Sequence, residues 1–313
     1  MAFNIETCRW VIWGAKDNPY NTFSHIHHAF YRALKYLGKD VVWLEWGDST
    51  ADLDLSNTLF LSMNTVIHGM PRRGGNDCFY VVHNIRGDEH ESYFDGLPLL
   101  ATGVHITPNV YSKNVQVLGS DIYFEPDDRV LQMRWGTDLL PSEIQANKPT
   151  RVFNSDSREI NYIGTVDPLK EITMSGFIRA CRENGIKFNT YGGFNKQEHP
   201  TIQEHVDLVK RSYMAPAFQG MDQVQTGYIS CRLFKAISAG QYGITHSPYA
   251  NALFGNRLIY SPDGYDLFHV ARERLQDIRL EELHTLMDIV ASEHTYLNKV
   301  RAIEHAVRTL ENR

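Results

Sequence analysis

QVQTGYISCRLFKAISAGQYGITHSP, residues 223–248, is the stretch whose reading decides the fold. A polar loop holding Gln225, Thr226 and Gly227 runs into a helix predicted over 228–239, which Gly240 ends, and a short strand is expected over 242–245. A loop that feeds a helix N-terminus offers free backbone N–H groups and a partial positive charge to an anion. Arg232 and Lys235 are three apart, so they share one helix face. A cationic face beside a helix start suits a diphosphate. The same letters also describe an ordinary amphipathic helix with two solvated cations, and the rest of the chain decides between the two.

Working outward, the second half alternates. A strand over 160–163 meets Gly164-Thr165, then a helix over 170–184 that Gly185 ends. A strand over 187–191 meets Gly192-Gly193, and a helix near 201–212 precedes a strand over 213–217. After the opening stretch come a strand over 257–260 and two helices, 263–276 and 280–310, the latter broken near His294. The first half alternates as well. Strands are expected at 9–13, 40–46, 57–62 and 78–82, with more at 99–106 and 122–124, and a helix at 23–37 ends at Gly38. Continuous apolar strands separated by helical segments indicate a parallel sheet covered on both faces. A polar stretch over 139–159, with Pro141 and Pro149, reads as containing a linker. The expected organisation is a first domain over 1–145, a linker over 146–159 and a second domain over 160–313.

The fold class is therefore α/β, as two Rossmann-like domains facing a cleft with C-terminal helices. Ligands of open α/β sheets bind outside the C-terminal ends of the strands, where the loops gather. The loops at 14–21, 83–89, 164–167, 192–194 and 218–227 each follow a strand and are expected to face that cleft.

Composition narrows the partners. With 42% hydrophobic and 22% charged residues the chain is that of a folded protein rather than a disordered one. Lys plus Arg total 31 against 37 Asp plus Glu, a net charge of −6 that gives no general attraction to nucleic acid or an anionic membrane. Cys8, Cys78, Cys181 and Cys231 are scattered without a C-x-x-C pair, which reads as buried free thiols in a reducing compartment. No signal-peptide core opens the chain and no apolar run approaches the ~20 residues of a membrane helix. A cytoplasmic location without a transmembrane segment is the expectation.

The order of strand, polar Gly loop, Arg- and Lys-bearing helix, small-residue turn and strand resembles the GT-B glycosyltransferases. Within them it is similar to bacterial and viral sugar transferases with a Y-I-x-x-R-x-F-x-A-I-x-x-G segment, here Tyr228, Ile229, Arg232, Phe234, Ala236, Ile237 and Gly240. The resemblance extends to NYIGTVD, to TYGGF and to the closing SEHTYLNKVRAIEHAV, covering most of 160–313. It implies that the second domain holds a nucleotide diphosphate sugar, of the UDP or GDP class. By that resemblance Arg232 and Lys235 would contact the phosphates, with Gly227 and Tyr228 presenting backbone N–H groups. Many retaining members carry a glutamate before this helix or at the position of Lys235. Gln225 and Lys235 stand there instead, which leaves the stereochemical outcome open.

Around that helix the expected donor site adds Gly164 and Thr165 as a close-approach loop, and Tyr191 and Gly192 as room for the nucleotide. Phe218 would stack on the base, and Gln225 belongs to the loop. Each has an ordinary alternative, since glycines at strand ends also serve as plain turns. An inverting transferase needs a base for the acceptor hydroxyl proton. Asp17, His27, His83 and Asp88 are the candidates. His25 and His28 lie one helical turn apart without a third ligand nearby, so no metal is expected, and no cofactor beyond the donor as co-substrate. The acceptor would be a glycan such as a growing polysaccharide, a lipid-linked acceptor or a small molecule. Trp13, Tyr20 and Phe23 suit stacking on a sugar as well as core packing. The expected activity is metal-independent glycosyl transfer, hexosyl or pentosyl. A nucleotide-sugar epimerase or phosphorylase, or a non-catalytic nucleotide-sugar-binding protein, are the alternatives. A dinucleotide oxidoreductase is the weakest option, because neither first strand is followed by G-x-G-x-x-G.

Overall fold

The computed structural model describes residues 2–16, 22–67, 69–73, 77–85, 92–106, 114–192 and 200–313; the side chains of residues 66 and 92 are also outside the description. Asp17 and Asp88 lie outside the described residues, as do Tyr20, Gly193 and Phe194. The chain divides into two compact units, residues 1–133 with 296–313, and residues 134–295.

Unit 1 is built on a sheet of β1 (Arg9–Trp13), β2 (Val41–Leu44), β3 (Thr58–Met63), β4 (Cys78–His83), β5 (Leu99–Gly103), β6 (Gln116–Gly119), β7 (Ile122–Glu125) and β8 (Val130–Met133). The strand order is β2-β1-β3-β4-β5-β8-β7-β6. β1 to β5 and β8 run parallel, and β7 and β6 finish the sheet as an antiparallel edge. β3 and β4 are buried at every position, which is why they read as unbroken apolar runs. Val11, Trp13, Phe60, Tyr80 and Val82 pack on one face with Ile67, Met70 and Phe94.

α1 (Thr22–Tyr36) buries Ile26, His27, Ala29, Phe30, Ala33 and Leu34, a single stripe at helical spacing. The chain's last helix, described below as α10, packs against it, with the Phe30 and Tyr296 rings edge to face at 4.8 Å. Lys299 of that helix is wholly buried and its Nζ donates to both carboxylate oxygens of Asp121 at 2.9 Å. Asp121 sits in the turn between β6 and β7, so this pair ties the antiparallel edge to the helix.

Unit 2 contains α2 (Pro141–Ala146), β9 (Glu159–Ile163), α3 (Pro168–Glu183), β10 (Lys187–Tyr191) and α4 (Ile202–Arg211). It continues with β11 (Pro216–Ala217), α5 (Met221–Gln225), α6 (Cys231–Ser238), β12 (Ile244–Thr245), α7 (Pro248–Leu253) and β13 (Ile259–Tyr260). α8 (Gly264–Asp277) and α9 (Leu280–Glu293) complete it, and α10 (Tyr296–Glu311) belongs to unit 1. All strand pairs of unit 2 are parallel, β10 with β9 and β11 with β12 with β13. Tyr213 N donates to Glu159 O at 2.7 Å and Asn161 N to Ser212 Oγ at 2.9 Å. These bonds tie β9 to the segment that leads into β11, while the two strand groups remain separate sheets.

Four boundaries differ from those expected. Residues 139–159 are a packed part of unit 2 and not a free linker. Leu139 and Ile144 are in the core, Lys148 and Gln145 bind the Asp288 carboxylate at 2.9 and 2.7 Å, and His284 meets the Pro149 carbonyl at 3.0 Å. The passage between units is at 133/134, and the last helix returns to unit 1 instead of closing the second domain. The helix expected from Tyr228 begins only at Cys231, because Ser230 caps it. The break at His294 is where the sequence places it, α9 ending at Glu293 and α10 starting at Tyr296. No helix of the described residues is long and apolar enough to cross a membrane.

Candidate functional site

Arg232 is in the first turn of α6, and its side chain folds back over the C-terminal ends of two strands. Its Nε donates to the carbonyl of Ile163, the last residue of β9, at 2.7 Å. Its Nη1 donates to the carbonyl of Phe218, just beyond β11, and to Ser230 Oγ, both at 3.0 Å. The guanidinium lies 4.3 Å over the Tyr162 ring. All these partners are neutral, so they fix the cation's orientation without cancelling its charge.

The remaining nitrogen, Nη2, faces Gly164. Gly164 has φ +139°, and a Cβ built there would overlap Nη2. This is one of the few places in the chain where glycine is required both by conformation and by a close neighbour. Gly164 N donates to Tyr191 O at 2.8 Å, so the ends of β9 and β10 adjoin, and Gly192 has φ +76°.

Lys170 completes the group. α3 begins with Asp167 as N-cap, whose Oδ1 accepts from Lys170 N at 2.9 Å, followed by Pro168 in the position where its missing N–H costs nothing. That first turn aims Lys170 back at the loop. Its Nζ donates to Thr165 O at 2.7 Å and lies 3.2 Å from Asp167 Oδ2. Burial pushes the Lys170 ammonium below its usual range, and the Arg232 charge lowers it further. Arg232 and Lys170 bring two cations to this glycine loop; Asp167 pairs with Lys170 and Asp222 lies within electrostatic reach of it, while the described bonds of Arg232 all go to neutral groups, so an anion bound there would pair with Arg232. Sequence reading missed Lys170; the signal was a lysine in the first helical turn after Gly164-Thr165.

Other residues expected at the donor site sit in different surroundings. Lys235 does not join Arg232: its Nζ donates to Asp138 Oδ2 at 2.7 Å in a nearly buried pair. Burial opposes ionisation of both partners, but Lys235 outweighs it to hold Asp138 at about 2, and Asp138 keeps Lys235 above its ordinary value. The Gly227 and Tyr228 N–H groups donate to Val224 O at 3.1 Å and Gln223 O at 3.0 Å, closing the end of α5, so they are not offered to a phosphate. Phe218 is fully buried against Phe177 and His246, which removes its ring from base stacking. Its carbonyl is what serves the site. Gln225 is exposed at the end of α5. Tyr191 keeps a half-exposed place at the end of β10, its hydroxyl 3.3 Å from Asn161 Oδ1.

Beneath Phe218, Gln219 Oε1 is buried without a hydrogen-bond partner among the described residues, and the buried His246 ring lies against the Ala217 and Gln219 backbone. Burial drives His246 down to about 4, so it is neutral at pH 7.

In unit 1 the structure brings His27 and His83 together, with ring centroids 6.2 Å apart. His27 Nδ1–H donates to Gly14 O at 2.9 Å, where Trp43 Nε1 also donates at 3.0 Å. That leaves His27 Nε2 as a lone-pair acceptor with no partner among the described residues. His83 ends β4 as expected, hydrogen-bonds Thr102 Oγ1 through Nδ1 and stacks on Phe30. Burial lowers His27 to about 4 and His83 well below its usual value, with His27 adding to the latter.

A pH dependence follows from the neutral histidines. His27 and His246 each have folded values near 4 against an ordinary histidine value of 6.5, so the unfolded chain binds protons first as pH falls. Their stabilising contribution is complete above pH 6.5, fades between 6.5 and 4, and amounts to about 3 kcal/mol each. Urea unfolding at pH 7 and pH 4.5 should show the loss; equal midpoints would refute it. The variants His27→Gln and His246→Gln should each flatten the slope.

No family model matches this sequence, and no curated protein matches it. Among solved structures it is similar to an α1,3-fucosyltransferase determined with GDP, at 10% identity and TM-score 0.46, over 100% of this chain and 93% of that one. It is also similar to a trehalose-6-phosphate synthase, at 10% identity and TM-score 0.49, over 97% of this chain and 98% of that one.

Proposed function

We propose that the protein is a glycosyltransferase that takes its sugar from a uridine or guanosine diphosphate sugar, with unit 2 binding the donor and unit 1 the acceptor. The observation that carries this reading is Arg232, oriented by two strand-end carbonyls with Nη2 aimed at Gly164, where no side chain fits. The sequence resemblance over residues 160–313 supports it. The diphosphate would lie over Gly164 and Thr165 against Arg232 and Lys170. As the bond between the anomeric carbon and the phosphate oxygen breaks, negative charge grows on the leaving diphosphate. Fixed cations at that point stabilise it without a metal ion. The acceptor hydroxyl attacks the anomeric carbon and its proton passes to a base, for which Asp17, His27, His83 and Asp88 are the candidates.

The full burial of His27 and His83 favours a second reading, a nucleotide-sugar-binding protein without turnover. Incubation with a panel of nucleotide sugars and mixed acceptors, with and without EDTA, separates the two. Nucleoside diphosphate release that survives EDTA is expected. Binding with no release across the panel would establish the second reading, and release abolished by EDTA would overturn metal independence.

A further inference from the structure

The chain passes between its units at Met133–Arg134 and again at Thr295–Tyr296. Inside unit 2 these two ends lie side by side. Thr137 N donates to His294 O at 2.9 Å, and Thr137 and Thr295 form a parallel bridge. Gly136 presses so closely on this pair that a Cβ there would overlap the His294 carbonyl.

The segment then runs along α6 and the turn before it, making three polar clasps. Arg134 Nε and Nη2 donate to the Gly227 carbonyl at 3.2 and 3.1 Å. Asp138 accepts from Lys235 at 2.7 Å, and Thr137 Oγ1 bonds Ser238 Oγ at 2.7 Å. Arg134, Thr137 and Asp138 are all buried, and the His294 ring packs on Phe234 at 4.8 Å. None of these side chains reaches the Gly164 loop through any described bond.

α6 has eight residues, too few to hold its shape or place alone. Its apolar face, Leu233, Phe234, Ala236 and Ile237, is buried, but apolar burial is non-directional and tolerates sliding along the helix axis. Hydrogen bonds are directional, and here they grip the turn before the helix, its middle and its last residue. We infer that residues 134–138 form a positioning strap for the donor site, in which Arg134 and Asp138 set the register of α6 so that Arg232 meets the bound diphosphate. This rests on the donor-site reading above.

The test is titration calorimetry of UDP and GDP into the full chain, for wild type, Arg134→Gln, Arg134→Lys and Asp138→Asn. Wild type should bind. Arg134→Gln should weaken binding about tenfold with the stoichiometry unchanged, as expected for losing a buried charge-assisted bond that acts through position. Arg134→Lys, which can still donate to Gly227, should recover most of the loss. Should Arg134→Gln fail to fold, Asp138→Asn carries the same expectation. A merely structural strap would lower the bound fraction while leaving the dissociation constant of the folded molecules intact, and that result overturns the proposal. Wild-type affinity in folded Arg134→Gln and Asp138→Asn would also overturn it, while leaving the donor site standing. If wild type binds neither nucleotide, the donor-site reading fails and the strap fails with it.

Discussion

Replacing Lys299 with methionine is expected to cost about 3–5 kcal/mol of stability, because it leaves the Asp121 carboxylate buried without its cation. Both side chains are almost wholly excluded from solvent, and both carboxylate oxygens accept from the ammonium at 2.9 Å. The pair lies 178 residues apart in sequence, joining the β6–β7 turn to the last helix. The loss should therefore appear as early unfolding of unit 1, measured by urea denaturation or by hydrogen exchange in residues 296–311. Asp121→Asn is expected to act in the same direction. The double variant Asp121→Leu with Lys299→Met should recover much of the loss, since a well-packed apolar pair often replaces a buried ion pair without penalty. A single-variant change within about 0.5 kcal/mol, the usual range for surface substitutions, would sink the claim that this pair anchors the helix.

The second large effect concerns ligand binding. Arg232→Ala should weaken nucleoside diphosphate binding by about 1.5–3 kcal/mol, the worth of a charge-assisted hydrogen bond. That corresponds to roughly 10- to 150-fold in affinity. The same site can be disabled without touching a charge. Gly164→Val would place a side chain where Nη2 now points, at a φ of +139° that β-branched residues resist. Both variants should lose the nucleotide-induced rise in melting temperature. A full rise in Gly164→Val would mean that the anion does not sit at this loop.

How much of this was legible in the sequence depends on how local each feature is. β1 was read to the residue, since RWVIW is a short apolar run bounded by polar residues. His83 was placed at a strand end for the same reason. β6 and β8 were missed because QVLG and VLQM are short and half-exposed, at or next to an antiparallel edge where the apolar pattern weakens. At the site, Gly164 and Arg232 were legible from loop and helix order, whereas the partnership of Lys235 was not. Its carboxylate, Asp138, is 97 residues away in a stretch that reads as loop. Spacing on a helix says which residues share a face, but not which tertiary partner claims each one. The Gly227 carbonyl, clamped by Arg134 from 93 residues away, is another case. The polar letters of residues 139–159 suggested a linker because their partners, Asp288 and His284, come from a distant helix.

The central claim is that unit 2 seats a nucleoside diphosphate between Gly164 and Arg232. Calorimetric titration of UDP and GDP into the wild-type protein and Arg232→Ala, in EDTA, tests it most directly. Saturable one-to-one binding by wild type to at least one nucleotide, weakened at least tenfold in the variant, is the predicted result. Binding to neither nucleotide, or equal affinity in the two proteins, would contradict it.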